Sequence, residues 1–202
     1  MKVKICGISD AETAKMAVES GADALGFVFA ESKRKITAVE AREIIKHLPN
    51  DILKVGVFVN EQAEVIQSII NETGINVIQL HGDETPEFCQ TFTVPVIKAL
   101  SIGTREDLNQ LHHYTCDYFL FDSPKGKYRG GNGVAFDWSL LTDQQIGEKK
   151  IILAGGLTIN NVAQAIETVN PFMVDVSSGV ETEGKKDLAK IKIFIKTAKS
   201  VK

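Results

Sequence analysis

The chain has 202 residues, enough for one sizeable core and too few for two ordinary domains. It is 44% hydrophobic and 24% charged, like an ordinary globular protein, and its net charge of −3 offers no basic field to nucleic acid or an anionic membrane. An odd count of three cysteines argues against a disulfide framework, the apolar runs fall far short of the roughly 18 residues of a membrane span, and no leader pattern opens the sequence, so a cytoplasmic protein is expected.

In chain order, an apolar β-rich run over residues 3–6 is followed by a helix over 11–20, capped by Ser9-Asp10 and ended by Gly21. A run over 24–29 precedes a helix over 37–47, where Thr37 and Glu40 form a capping box and Pro49 sets the limit. A run over 53–59 precedes a helix over 61–73 that ends at Gly74. The fourth run, 77–80, leads to a short helix over 85–92 with Pro86 at its first position. Runs over 94–100 and 118–121 are followed by helices over 104–112 and 136–145. A run over 151–153 precedes a helix over 158–169, started by Thr158 and stopped before Pro171. The last run, 172–176, precedes a helix over 186–201 with Leu188, Ile191, Phe194, Ile195 and Ala198 on one face.

Several runs are apolar throughout instead of alternating, as in strands buried on both faces. Strand followed by helix, repeated eight times, predicts a (β/α)8 TIM barrel filling residues 1–202 as a single domain. An open doubly wound sheet is the alternative, but no dinucleotide fingerprint accompanies it. Lys185, Lys186, Lys190, Lys192 and Lys196 read as the solvated face of the last helix.

Barrel enzymes gather their functional groups at the C-terminal strand ends. There the sequence places Cys6-Gly7, Ser32-Lys33-Arg34, Asn60, His81, Lys98 (read as facing inward) with Ser101, Asp122, Gly155-Gly156, and Ser177-Ser178-Gly179. Glycine lets backbone N–H groups approach a ligand, and the rim after strands seven and eight is a frequent phosphate site, often completed by a short extra helix such as GVETEG would supply. Plainer readings stand beside these. The glycines suit tight turns. Cys6 suits a small buried hydrophobe, as do Cys89 and Cys116. Asp122 suits a turn before Ser123-Pro124, Arg34 a surface charge, and His81 a cap before Gly82. Cys-x-x-Cys and His-x-His are lacking, so no metal is expected.

The segments KICGI, GADALGFVF, SKR, VGVFVN, VIQLHGDE, VIKAL, FDS, LAGGL and VDVSSGVE occur in this order along the whole chain. Together they resemble the phosphoribosylanthranilate isomerase family of tryptophan biosynthesis. The resemblance implies a cofactor-free Amadori rearrangement of N-(5-phosphoribosyl)anthranilate to 1-(2-carboxyphenylamino)-1-deoxyribulose 5-phosphate. It implies Cys6 as general base, Asp122 as general acid and Arg34 as the holder of the anthranilate carboxylate. Gly155, Gly156, Ser177, Ser178 and Gly179 would hold the phosphate, and His81 and Asp175 match further substrate-site positions. The expected partner is a small phosphoribosyl substrate, without nucleic acid, membrane or metal, bound by a monomer or homodimer. Asn132 and Val134 depart from the resemblance, which expects a small hydroxyl and a longer polar residue there.

The implied chemistry suits these groups. Opening the ribose ring needs a carboxyl that still carries its proton, and the C2 proton needs a base; a thiol with a modest downward shift would serve near neutrality. Rival readings are the sister isomerase of histidine biosynthesis, which expects aspartate where Cys6 stands, a non-catalytic phosphoribosyl-binding barrel, and a thiol redox sensor, which needs a resolving cysteine near Cys6.

Overall fold

The computed structural model describes residues 1–124, 137–141 and 149–201. Eight parallel strands close into a barrel in sequence order: β1 (Lys2–Cys6), β2 (Ala24–Val28), β3 (Leu53–Phe58), β4 (Val77–Leu80), β5 (Val96–Ser101), β6 (Tyr118–Asp122), β7 (Ile151–Leu153) and β8 (Met173–Val176). Closure is made by β1 on β8, with Lys4 opposite Asp175 and Ile5 opposite Val176. Around the barrel run α1 (Ala11–Glu19), α2 (Ala38–Ile45), α3 (Ala63–Thr73), α4 (Pro86–Cys89), α5 (Val162–Val169) and α6 (Leu188–Ser200). Among the described residues, no helix is long and apolar enough to cross a membrane.

The unbroken apolar runs now have a cause. Alternate strand residues point to opposite faces, and both faces are buried. Ala24, Val55, Val77, Ile97, Ala99, Leu120, Ile152, Ala154 and Met173 form one cluster, which fills the barrel. Their neighbours, including Val3, Ile5, Leu25, Phe27, Ile78, Phe119, Phe121 and Val174, join the larger layer under the helices.

Local signals set most helix ends. The Thr37 hydroxyl accepts from Glu40 N, and Glu40 Oε2 accepts from Thr37 N at 2.9 Å, so the capping box forms. Gly74 ends α3 in the left-handed conformation, at φ 78°. Three stretches differ from expectation. Arg105–His113 winds as a 3₁₀ helix, not an α-helix. Helix α5 starts at Val162 instead of Thr158, because the Asn161 side chain folds back, accepting from Thr158 N and donating to Gly156 O. Only Trp138–Leu141, a 3₁₀ turn, is described of the helix expected over 136–145. Asn132 and Val134 lie outside the described residues.

Two lysines are placed differently from the sequence reading. Lys98 alternates with Ile97 and Ala99, which fill the barrel, so it leaves the interior. It is buried on the helix side with its Nζ 2.7 Å from Glu84 Oε2 and 2.8 Å from Gly82 O. Lys186 is not on the solvated face of α6. It lies in a two-strand hairpin, β9 (Glu181–Thr182) and β10 (Lys185–Lys186), ahead of the true N-cap Asp187, and its side chain is only 5% exposed.

Candidate active site

A cavity of about 640 Å³ opens at the C-terminal rim. Its lining includes all ten residues singled out from the sequence: Cys6, Arg34, His81, Asp122, Gly155, Gly156, Asp175, Ser177, Ser178 and Gly179. Asn60, Lys98 and Ser101 are at strand ends yet do not line it.

Cys6 ends β1 and is buried. Across the barrel contact to β2 stands Gly26, where a Cβ would come within 2.8 Å of Cys6 Sγ and 3.2 Å of Lys4 Nζ. That missing side chain makes room for the thiol and the ammonium side by side. Lys4 Nζ donates to Asp175 Oδ1 at 2.9 Å, entirely inside the barrel. Burial would strip the Lys4 proton, but Asp175 and the Cys6 thiol outweigh it and hold the ammonium above its ordinary range. The Cys6 thiol is pushed up by burial, pulled down by Lys4, pushed up again by Asp175 and pulled down by Lys186, and burial wins. The shift is therefore opposite to the modest downward one expected from the chemistry, because desolvation of a thiolate outweighs two nearby ammonium groups.

Asp122 ends β6 and is 4% exposed. Its Oδ1 accepts from Ser123 N at 2.8 Å, and its Oδ2 lies 3.3 Å from His81 Nε2. Gln79 Nε2 lies 2.9 Å from His81 Nδ1. Sequence reasoning missed Gln79. It sits two residues before His81 on β4, hence on the same face of that strand, and that alternation was the available signal.

The rim over β7 and β8 is made of backbone. Gly155 and Gly156 have φ of 79° and 66°, which L side chains resist. A Cβ on Gly179 would sit 1.8 Å from Leu157 O, so only glycine closes that contact. The short helix expected over GVETEG does not form: a 3₁₀ turn at Ser178–Val180 covers only its first two residues, and Glu181–Thr182 goes into the hairpin with Lys185–Lys186. The N–H groups of Gly156 and Ser178 find no acceptor among the described residues. Two free donors on a glycine-built rim suit an anion.

Arg34 lies in the loop after β2, with its stem over Gly7, where a Cβ would come within 2.4 Å of Arg34 Cδ. Its Nε and Nη2 donate to the two carboxylate oxygens of Glu181 at 2.6 and 2.9 Å. Lys186 Nζ donates to the same carboxylate at 2.7 Å and to Ser177 O at 2.9 Å. Ser177 Oγ donates to Cys6 O at 3.1 Å. Burial alone would raise the Glu181 carboxyl, but Arg34 and Lys186 overcome it and hold it below the usual range. Glu181 and Lys186 were both missed. A lysine run beside a helix pattern hid the hairpin that buries Lys186.

A family model described as N-(5'-phosphoribosyl)anthranilate (PRA) isomerase matches residues 3–197. The chain belongs to the phosphoribosylanthranilate isomerase family. Within that family, the Bacillus cereus (strain G9842) N-(5'-phosphoribosyl)anthranilate isomerase is 60% identical over 196 residues, covering 96% of each chain. The crystal structure of the Thermotoga maritima phosphoribosyl anthranilate isomerase superposes with a TM-score of 0.90 at 44% identity, over 99% of both chains. Another family structure, solved in complex with reduced 1-(o-carboxyphenylamino)-1-deoxyribulose 5-phosphate, gives a TM-score of 0.87 at 43% identity, again over 99% of each chain. The TIM barrel expected from the strand–helix alternation is the fold observed here and in these isomerases.

The other two thiols of this isomerase-family chain are Cys89, which is buried, and Cys116, which is half-buried. Neither lines the cavity, so neither can resolve an oxidised Cys6.

Proposed function

We propose that the chain catalyses the isomerisation of N-(5-phosphoribosyl)anthranilate to 1-(2-carboxyphenylamino)-1-deoxyribulose 5-phosphate in tryptophan biosynthesis, with Cys6 as general base and Asp122 as general acid. The observation that carries the reading is a single cavity lined by a thiol, a carboxyl, a guanidinium and the glycine-built anion rim. Each matches one demand of this substrate: a C2 proton, a ring oxygen, a carboxylate and a phosphate.

With the phosphate on the N–H groups over β7 and β8 and the anthranilate carboxylate toward Arg34, the ribose spans the space between Cys6 and Asp122. The two strands that carry them, β1 and β6, are not neighbours in the barrel, so acid and base meet the sugar from different sides. Asp122 protonates the ring oxygen as the C1–O bond breaks, and a protonated Schiff base forms. His81 Nε2, 3.3 Å from Asp122 Oδ2, holds the carboxyl group in place. The Schiff base acidifies C2–H, and Cys6 takes that proton. The enolamine gains a proton at C1 and loses its hydroxyl proton, which gives the ketone with no net proton change. Lys4, beside the thiol, stabilises the thiolate whenever it forms. Asp175 holds Lys4 in place. The barrel acts as one domain on a small phosphorylated substrate, as a monomer or homodimer.

Turnover of synthetic N-(5-phosphoribosyl)anthranilate by the purified chain tests the proposal. Conversion to the ketose product is expected. Tight binding without conversion would make the barrel a phosphoribosyl binder, and conversion only of the histidine-pathway aldose would reassign it to the sister isomerase.

A further inference from the structure

A guanidinium has two edges that can grip a carboxylate with paired N–H donors: the side edge, Nε with Nη2, and the end edge, Nη1 with Nη2. In Arg34 the side edge is taken by both oxygens of Glu181. Nη1 has no acceptor among the described residues, although Arg34 lines the cavity. Glu181 does not line the cavity and sits behind the guanidinium, where its side chain is 8% exposed. It is itself held from a third direction by Lys186, which also grips the Ser177 carbonyl of the anion rim. We infer that Glu181 is a positioning residue that fixes Arg34 so that only its end edge faces the cavity, and so selects substrates carrying a carboxylate on the ring amine's aromatic group.

The inference rests on the reading of Arg34 as the carboxylate holder. A free arginine side chain is rotamer-rich, and its planar fork must be aligned before two parallel bonds can form. Here the alignment exists before the ligand arrives. The stem is confined over Gly7, and the side edge is pinned by Glu181. A carboxylate entering the cavity then meets one free edge in one orientation. Glu181 would compete with the substrate only from the cavity side, and it is not there.

The test is steady-state kinetics of Glu181→Gln and Arg34→Met with N-(5-phosphoribosyl)anthranilate and with its carboxylate-free analogue, N-(5-phosphoribosyl)aniline. Glutamine keeps the size of the side chain and can accept one bond, but not the charged pair. Glu181→Gln is expected to raise KM for the anthranilate substrate about tenfold, the scale of one charge-assisted contact, with kcat nearly kept. The aniline analogue should show wild-type KM and kcat in the same variant, which also certifies its fold. An equal rise for both substrates, or loss of both activities, would overturn the inference in favour of a role in folding. An unchanged or lower KM for the anthranilate substrate would overturn it in favour of simple charge neutralisation. If Arg34→Met itself leaves KM unchanged, the carboxylate-holder reading fails; if Arg34→Met raises KM and Glu181→Gln does not, only the role of Glu181 fails.

Discussion

Over β7 and β8 the rim is backbone: Gly155 and Gly156 with positive φ, Gly179 pressed against the Leu157 carbonyl, and the N–H groups of Gly156 and Ser178 without an acceptor among the described residues. Over β1, β2, β4 and β6 it is side chain: Cys6 beside Lys4 and Asp175, Arg34 on Glu181, and Asp122 between Ser123 and His81. The backbone half depends on sterics. Its donors carry no titratable proton, and it fails when a Cβ is added. The side-chain half depends on partners. Each of its charged groups is buried or half-buried and is set by a neighbour, and it fails when a charge or a proton is removed. A phosphate keeps its charge through the reaction and suits the first half. A proton that must move suits the second.

Cys6→Ser should break the side-chain half most severely. A hydroxyl is a far poorer base, so kcat should fall about 10²–10⁴-fold with the fold intact. Because burial raises the thiol, kcat/KM of the wild-type enzyme should climb with pH through the neutral range toward the alkaline, as the thiolate fraction grows. Removing the nearest ammonium with Lys4→Met should move that limb still higher. A limb already level at neutral pH would show a thiol lowered, not raised.

Arg34→Met should be milder. It should raise KM roughly tenfold to a hundredfold while kcat changes little, as expected for one charge-assisted contact. An unchanged KM would leave Arg34 as a structural partner of Glu181.

Gly155→Ala sharpens the comparison from the other side. A Cβ there would sit 2.6 Å from Ser123 N and 3.1 Å from Asp122 Oδ1, at a φ of 79°. The expected cost is about 1–3 kcal/mol of stability, read by thermal or urea unfolding, together with weaker inhibition by inorganic phosphate. Wild-type stability and wild-type phosphate inhibition would mean that this rim tolerates side chains.

The backbone half was the more legible in sequence. Glycine pairs at strand ends point to close approach without any knowledge of neighbours, and the barrel itself followed from eight apolar runs with helices between them. Thr37 with Glu40, and Gly74, gave helix ends for the same reason: their partners are a few residues away. The side-chain half was legible only as residue types at rim positions. That Lys4 sits beside Cys6 depends on Gly26 across a strand pair, and that Glu181 grips Arg34 depends on residues 147 positions apart. Lys186 looked like one more surface lysine because its burial comes from a hairpin of two-residue strands, too short to leave a pattern. Thr158 looked like a cap because the sequence does not say that Asn161 will fold back onto it.

The most direct measurement of the acid–base account is Asp122→Asn, with kcat, KM and the Kd of the closed-ring substrate or of the reduced product analogue determined on one preparation. The amide keeps the size of the carboxyl and can accept the Ser123 N–H, but it cannot give a proton to the ring oxygen. The account predicts a fall of about 10²–10⁴-fold in kcat with KM and Kd near wild type, because the lost interaction exists mainly in the transition state. A tenfold weaker Kd with kcat preserved would contradict it: Asp122 would then be a binding residue, and the proton would have to come from His81 or Asp175.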